Sequence, residues 1–506
     1  MDVTEPVVRT GGGLVRGRTG GGVAVFRGIP FAQPPVGDLR FAAPRPARPW
    51  DGVREAAAFG PPPPQSGLGL NPLPPADPGA DSGDWLTVNV FSPDLGAAGL
   101  PVMVWIYGGA YRSGSASNPG YDGTLLAQRD VVVVTFNHRV GVEGYAYLPG
   151  TPANRGLLDQ IAALRWVREN IAAFGGDPDR VTVFGVSAGA GAIAALLVMP
   201  AAVGLFRRAI AQSVLGTFFS PALAGDVTAA IAAEAGLPAT AEAFAAADPA
   251  RLAAVAATVR AADHRDRWGR VAYTGMPFSP VVDGEVLPAP PWRALAMGTG
   301  RGIDLLTGHT RDEFRLFMQL AGIRGQVSTE AAADALRGLA PGDDGEAAYR
   351  KAYPDADHET LFELVHSDWL FRMPSLHLAQ AHAAAGGRTF LYEISYPAPA
   401  DGLGSCHAID VPLVFGVYRG IGQMLFGPEP SASVVRLGDL MRSQWAAFAT
   451  DGDPGWPPYA PGRRTTRIFA DPPDVAPYPE RASLHIWDQH RFGVLELTAD
   501  PDLDLA

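Results

Sequence analysis

Two short apolar runs, Val102 to Tyr107 and Val131 to Phe136, are rich in valine and bounded by turn residues. Runs of that length without alternation predict strands buried on both faces, as in a mostly parallel sheet. Between Arg155 and Phe174 the spacing changes. Leu157, Ile161, Leu164, Val167, Ile171 and Phe174 fall at three- and four-residue steps, which predicts one amphipathic helix. Gly175, Gly176, Asp177 and Pro178 end it, and Val181 to Phe184 resumes a strand. Strand, helix, strand is the unit of a parallel sheet with helical crossovers. Strand-like patches recur at Ile303 to Thr307 and Thr389 to Ser395. Alanine dominates Ala222 to Arg260, and a second helical zone, broken near Pro341 and Pro354, runs from Thr329 to Ala385. The pattern predicts a single α/β domain over residues 1–506, its sheet interrupted by helical insertions at 217–300 and 315–385 that sit over the strand ends. Pro61 to Pro78 reads as an exposed, semi-rigid loop.

Composition narrows the function classes. With 47% apolar and 18% charged residues, the chain buries a large core and is not a disordered one. Forty basic against 52 acidic residues leave a net charge of −12, the wrong sign for a nucleic-acid partner. Lysine occurs once, at Lys351, so lysine-based covalent chemistry rests on that position. Cysteine also occurs once, at Cys406, which excludes an intrachain disulfide and a cysteine-rich metal site. No metal or organic cofactor is implied. Met1 to Thr10 lacks the basic and apolar regions of a secretory signal, and the apolar runs are shorter than the ~18 residues of a membrane helix. A cytoplasmic protein with no membrane partner is expected.

Candidate chemistry begins at Gly185-Val186-Ser187-Ala188-Gly189, which follows the Val181 to Phe184 strand and opens an alanine-rich helix. A serine hydroxyl is a poor nucleophile unless it is held exposed beside a base. Small residues two before and two after Ser187 permit a tight strand-to-helix turn that lifts the side chain out. The helix start also offers free amides to a developing oxyanion. Tyr107-Gly108-Gly109-Ala110-Tyr111 directly follows another strand. Alone it reads as an ordinary glycine turn; with Ser187 downstream, the amides of Gly109, Ala110 and Ala188 form a candidate three-donor oxyanion hole.

At this point the sequence resembles the type-B carboxylesterases, the cholinesterase-like branch of the α/β hydrolases. The likeness runs from Phe26-Arg27-Gly28-Ile29-Pro30-Phe31-Ala32, Pro34-Pro35-Val36-Gly37 and Arg40-Phe41 through Asn137-His138-Arg139-Val140-Gly141 and Asn154-Arg155-Gly156-Leu157-Leu158-Asp159-Gln160. It continues into the serine motif and on to Pro280-Val281-Val282-Asp283-Gly284. The resemblance implies an α/β-hydrolase fold: a central, mostly parallel sheet flanked by helices, with helical insertions over the active site. It also implies the remaining partners of Ser187. Glu313, in Gly308-His309-Thr310-Arg311-Asp312-Glu313-Phe314, matches the family's acid, and His407, in Cys406-His407-Ala408-Ile409-Asp410, matches its base. Asp312 and Asp283 are the alternative acids. His309 is the main rival base because it sits beside the acid, whereas His366, His377 and His382 lie in helical sequence, where a surface or packing role is usual. In such a triad His407 takes the Ser187 proton and returns it to the leaving alcohol, while Glu313 fixes the tautomer.

Departures from the family carry expectations of their own. Val186 stands where the family has glutamate, removing a negative charge near the histidine, so the expected substrate is a small, neutral, apolar ester. Gly83-Asp84-Trp85-Leu86 lacks the family's cysteine and the acid that pairs with the N-terminal arginine, here Arg40. Phe218, Phe219, Met276, Phe278, Phe317 and Met318 are either pocket lining or core. The leading expectation is a serine carboxylesterase working through an acyl-enzyme on Ser187. The alternatives are a non-catalytic binding protein on the same scaffold and an amidase or carbamate hydrolase using the same triad.

Overall fold

The computed structural model describes residues 5–66, 83–400 and 402–498. Among these, eleven strands form one sheet: β1 (Arg18–Gly20), β2 (Val23–Pro30), β3 (Thr87–Ser92), β4 (Leu100–Ile106), β5 (Val132–Phe136), β6 (Gly176–Val186), β7 (Arg208–Gln212), β8 (Asp304–Thr310), β9 (Thr389–Ile394), β10 (Thr465–Phe469) and β11 (Asp474–Pro477). Their order across the sheet is β11-β10-β9-β8-β7-β6-β4-β5-β3-β2-β1. From β10 through β5 all neighbours run parallel. The pairs β1/β2, β2/β3, β3/β5 and β10/β11 are antiparallel. A separate sheet joins Val7–Thr10, Gly13–Arg16 and Val53–Glu55.

The valine runs are continuous because both faces of the sheet are covered. Val102, Val104 and Ile106 of β4 enter one apolar cluster, and Met103, Trp105 and the following Tyr107 enter the other. Helices α1 (Arg155–Asn170) and α2 (Ala188–Leu196) contribute to the first cluster. Helix α3 (Ala432–Asp451) contributes Leu437, Met441, Trp445 and Phe448 to the second. The result is three layers, helix, sheet and helix.

The predicted strands and helix are present with small shifts: the single helix expected from Arg155 to Phe174 tightens into a 3₁₀ turn at Ile171–Phe174. Between β7 and β8 the chain forms the helices Pro221–Ala235, Ala241–Ala246, Pro249–Thr258, Arg265–Trp268 and Pro291–Ala296. Between β8 and β9 it forms Arg315–Leu320, Thr329–Leu339, Gly345–Ala352, His358–Ser367 and Met373–Ala384, the last two joined by a π-helical turn, Asp368–Arg372. Pro61 to Ser66 is partly buried rather than exposed. The Gln65 carboxamide accepts the Gly114 N–H at 2.8 Å and donates to the Gly114 carbonyl at 2.9 Å, and Asn137 donates to the Pro61 carbonyl. Residues 67–78 of the predicted loop lie outside the described residues. No helix among the described residues is long and apolar enough to cross a membrane.

Two blocks read from the sequence meet in the core. Arg139 and Asp159, both fully buried, form a two-pronged ion pair at 2.7 and 2.8 Å. Arg40 is also paired despite the missing family acid. Its guanidinium meets Glu143 at 2.7 Å and donates to the Ala245 and Ala247 carbonyls, while Asp84 pairs instead with Arg54.

Candidate active site

Strands β6, β7 and β8 are adjacent, and Ser187 and Glu313 follow the carboxyl ends of β6 and β8, where open α/β sheets place their sites. Ser187 follows β6 directly, with φ 59° and ψ −123°, a sparsely populated conformation for a residue with a side chain. The turn holds because the ladder continues through it: the Ser187 N–H donates to the Gln212 carbonyl at 2.9 Å, and the Ser213 N–H to that of Gly308 at 2.8 Å. A Cβ on Gly189 would lie 2.1 Å from the Ile106 carbonyl oxygen, so only glycine lets α2 start this close to β4.

That close approach brings the glycine turn onto the nucleophile. A Cβ on Gly108 would sit 3.0 Å from Cβ of Ser187. Gly109, at φ +126°, accepts the N–H groups of Arg112 and Ser113, each at 3.0 Å, which winds the segment back on itself. Among the described residues the amides of Gly109, Ala110 and Ala188 donate to no carbonyl or side chain.

Glu313, three residues beyond β8, is fully buried. Its Oε2 meets His407 Nδ1 at 2.5 Å, and its Oε1 accepts from Ser213 Oγ at 2.6 Å and the Thr310 amide at 2.8 Å. Burial alone would push this carboxyl up, but the imidazole and the Ser213 and Thr310 hydrogen bonds hold it below the ordinary glutamate value. The His407 N–H donates to the Glu313 carbonyl at 3.3 Å, and the aromatic rings of Phe317 and Phe371 lie 5.1 and 4.3 Å from the imidazole. The structure therefore brings acid and base together. Among the described residues it forms no hydrogen bond between Ser187 Oγ and the imidazole, a contact that often tightens only in a substrate complex.

The alternatives are engaged elsewhere. Asp312 accepts the Ser405 amide at 2.7 Å and pairs with Arg315 at 2.9 Å, bracketing the loop that carries His407. Asp283 caps its own turn through the Glu285 and Leu287 amides. His309 is buried between the Thr310 carbonyl and the Tyr478 hydroxyl, and burial pushes it down to about 4. His366 bonds the Phe362 carbonyl and stacks on Phe314, His377 packs on Phe492, and His382 meets Thr389 Oγ1 at 2.7 Å.

Of the six residues left as pocket or core, Phe317 touches the imidazole, while Phe218 packs on Trp292 and Phe219 bridges to Val281 and Leu495. Sequence reasoning missed Ser213, Phe371 and Asp410. Asp410 is buried and accepts from Gln212 Nε2 at 2.7 Å, and burial pushes its carboxyl up to about 6. No cluster of three metal-ligating side chains occurs among the described residues.

Residues 4–467 match the model of the carboxylesterase family. The chain is 38% identical to a para-nitrobenzyl esterase of Bacillus subtilis over 92% of its length and 95% of that protein. It is 36% identical to a fumonisin B1 esterase of Sphingopyxis macrogoltabida over 90% and 83%, and 33% identical to a phenmedipham hydrolase of Pseudarthrobacter oxydans over 89% and 91%. A solved PNB esterase superimposes with TM-score 0.84 at 36% identity, covering 96% of this chain and 99% of that one. A Geobacillus stearothermophilus carboxylesterase superimposes with TM-score 0.82 at 35% identity, covering 95% and 99%.

Proposed function

Because this chain belongs to the carboxylesterase family, with its α/β-hydrolase fold, and is a carboxylic-ester hydrolase, we propose that Ser187, His407 and Glu313 are its nucleophile, base and acid. The observation that carries the assignment is the Glu313 carboxylate: three hydrogen bonds fix it, and one of them holds Nδ1 of His407 at 2.5 Å. With its proton on Nδ1, the imidazole keeps Nε2 as the nitrogen that accepts.

Substrate binding closes the Oγ to Nε2 contact. His407 then takes the serine proton as Oγ attacks the ester carbonyl carbon. The carbonyl oxygen becomes an oxyanion facing the amides of Gly109, Ala110 and Ala188, donors already in place before charge develops. Collapse expels the alcohol, which receives the proton from His407. Water, deprotonated by the same imidazole, then attacks the acyl carbon, and collapse of this second intermediate breaks the bond to Oγ, which takes the proton back from His407 as the acid leaves. The imidazolium is stabilised at each stage by Glu313, whose carboxylate is poised to stay ionised.

The substrate is a small-molecule ester. Ser187→Ala should abolish p-nitrophenyl ester turnover with an unchanged circular dichroism spectrum, and a fluorophosphonate should label Ser187 in the parent protein. Full activity in Ser187→Ala refutes the assignment. The similarity to a phenmedipham hydrolase motivates one second reading, attack on carbamates or amides by the same triad. Matched ester and anilide substrates decide between them, because the amine is the worse leaving group.

A further inference from the structure

Arg112 ends the turn that offers the Gly109 and Ala110 amides, its own N–H closing that turn on the Gly109 carbonyl at 3.0 Å. Its neighbour Tyr111 is buried against Tyr145, with ring centroids 5.0 Å apart. The Arg112 side chain is half-buried, its Nε is shut off from solvent, and no hydrogen-bond acceptor meets that atom. No carboxylate among the described residues pairs with it, and burial pushes its guanidinium down with no neighbouring charge to oppose the shift. The deeply buried arginines behave differently: Arg139 pairs with Asp159, Arg372 with Asp368, and Arg155 donates to the Glu143, Val142, Ala146 and Pro152 carbonyls. A guanidinium stays charged in a protein, so a partly desolvated one without a counterion is a standing receptor for an anion.

The surroundings of the nucleophile fit that polarity. Val186, beside Ser187, is buried in the apolar cluster and places no carboxylate near the site. Glu313 is held by His407, Ser213 and Thr310, and Asp410 by Gln212 and Tyr392. Arg112 stands only two residues beyond Ala110, on the same turn as two of the oxyanion amides. Its planar fork matches a carboxylate in two-pronged fashion.

We propose that Arg112 recognises a carboxylate on the substrate, so that this esterase takes esters carrying a second, ionised acid group. The proposal rests on the ester-hydrolase reading of the same site and replaces the neutral ester expected from the sequence with an anionic one. The test compares matched esters: mono-4-nitrophenyl glutarate, with the anion on the acyl side, and 4-(butyryloxy)benzoate, with the anion on the alcohol side, against 4-nitrophenyl pentanoate and phenyl butyrate. The quantity read is the ratio of kcat/KM for each anionic ester to its neutral match. For at least one pair the ratio should fall tenfold or more in Arg112→Met and recover in part in Arg112→Lys. The pair that responds says which side of the ester carries the acid. Ratios that stay equal to the parent's in Arg112→Met for both pairs, including through an equal loss on anionic and neutral esters, overturn the proposal. The ratio reads Arg112 whichever residue attacks, and Ser187→Ala separately reads the nucleophile, so the two readings fail independently.

Discussion

Replacing Glu313 by glutamine tests the acid–base pair most directly, because it keeps the shape of the side chain and changes only its hydrogen-bonding pattern. The carboxylate accepts three bonds, from His407 Nδ1 at 2.5 Å, Ser213 Oγ at 2.6 Å and the Thr310 amide at 2.8 Å. A carboxamide accepts on one side only. If its oxygen faces Ser213 and Thr310, its NH₂ donates to Nδ1, the proton moves to Nε2, and the imidazole cannot take the serine proton. If it is flipped, the NH₂ opposes the Thr310 N–H in a fully buried site. The wrong tautomer alone costs about 10³ to 10⁴ in kcat, or ~4–5.5 kcal/mol of barrier. Steady-state kcat with p-nitrophenyl butyrate, normalised to fluorophosphonate-reactive sites, measures the loss. Ser213→Ala, which removes one hydrogen bond but keeps the charge, should cost only about fivefold, corresponding to ~1 kcal/mol. A Glu313→Gln enzyme within tenfold of the parent would refute the pairing as the source of base orientation. Stability gives a second readout with a defined sign. The folded Glu313 carboxyl lies below its ordinary value of 4.5, so it stabilises the fold above that pH and the contribution disappears as pH falls through the folded value. The stability gap between parent and Glu313→Gln should therefore narrow as pH falls below 4.5.

Other consequences are independent of the triad's proton. Gly189→Ala places a methyl 2.1 Å from the Ile106 carbonyl oxygen and 2.8 Å from that of Tyr107; the strand or the elbow must move by about 1 Å, and kcat should fall by about 10², whereas unchanged turnover would show that α2 does not set the position of Ser187. Burial pushes the Glu363 carboxyl up to about 7 from an ordinary 4.5, so the folded state holds its proton, and stability falls as pH rises between those values. Glu363→Gln should remove up to ~3 kcal/mol of that decline, seen as urea midpoints at pH 5 and pH 8 that lie closer together than the parent's; an unaltered spacing sinks the idea. Cys406 adjoins His407, the proposed base, yet burial pushes its thiol up to about 12, so iodoacetamide at pH 8 should leave activity intact until urea unfolds the chain, and prompt inactivation would contradict this burial.

What the sequence discloses about this site divides by the distance over which the signal acts. The elbow at Ser187 is legible because strand, glycine spacing and helix occupy a dozen consecutive residues, and each is required by a local collision or a local hydrogen bond. The parallel core is legible for the same reason: burial on both faces writes itself into uninterrupted valine. The antiparallel strands β1 and β2 pass unread, since β1 spans only three residues, all exposed, and β2 is mixed in its burial. Glu313 and His407 stand 94 positions apart, and only the ordered blocks of the family resemblance connect them. Where resemblance is the sole guide, it also misleads. The missing acid near position 83 put the ion pair of Arg40 in doubt, but a buried guanidinium requires a counterion from somewhere, and Glu143, 103 positions away, supplies it. Phe371 illustrates a third limit. It lies in a π-helical turn, where the extra residue per turn breaks the 3.6 spacing from which a face would be inferred, and that turn lies beside His407. Ser213 has no pattern at all; its importance comes from β7 ending between β6 and β8, so that a hydroxyl one residue past the strand meets the carboxylate delivered by its neighbour. Chemistry at the ends of parallel strands is assembled across the sheet, perpendicular to the direction in which a sequence is read, and the residues that position the triad are therefore the last to be found from sequence.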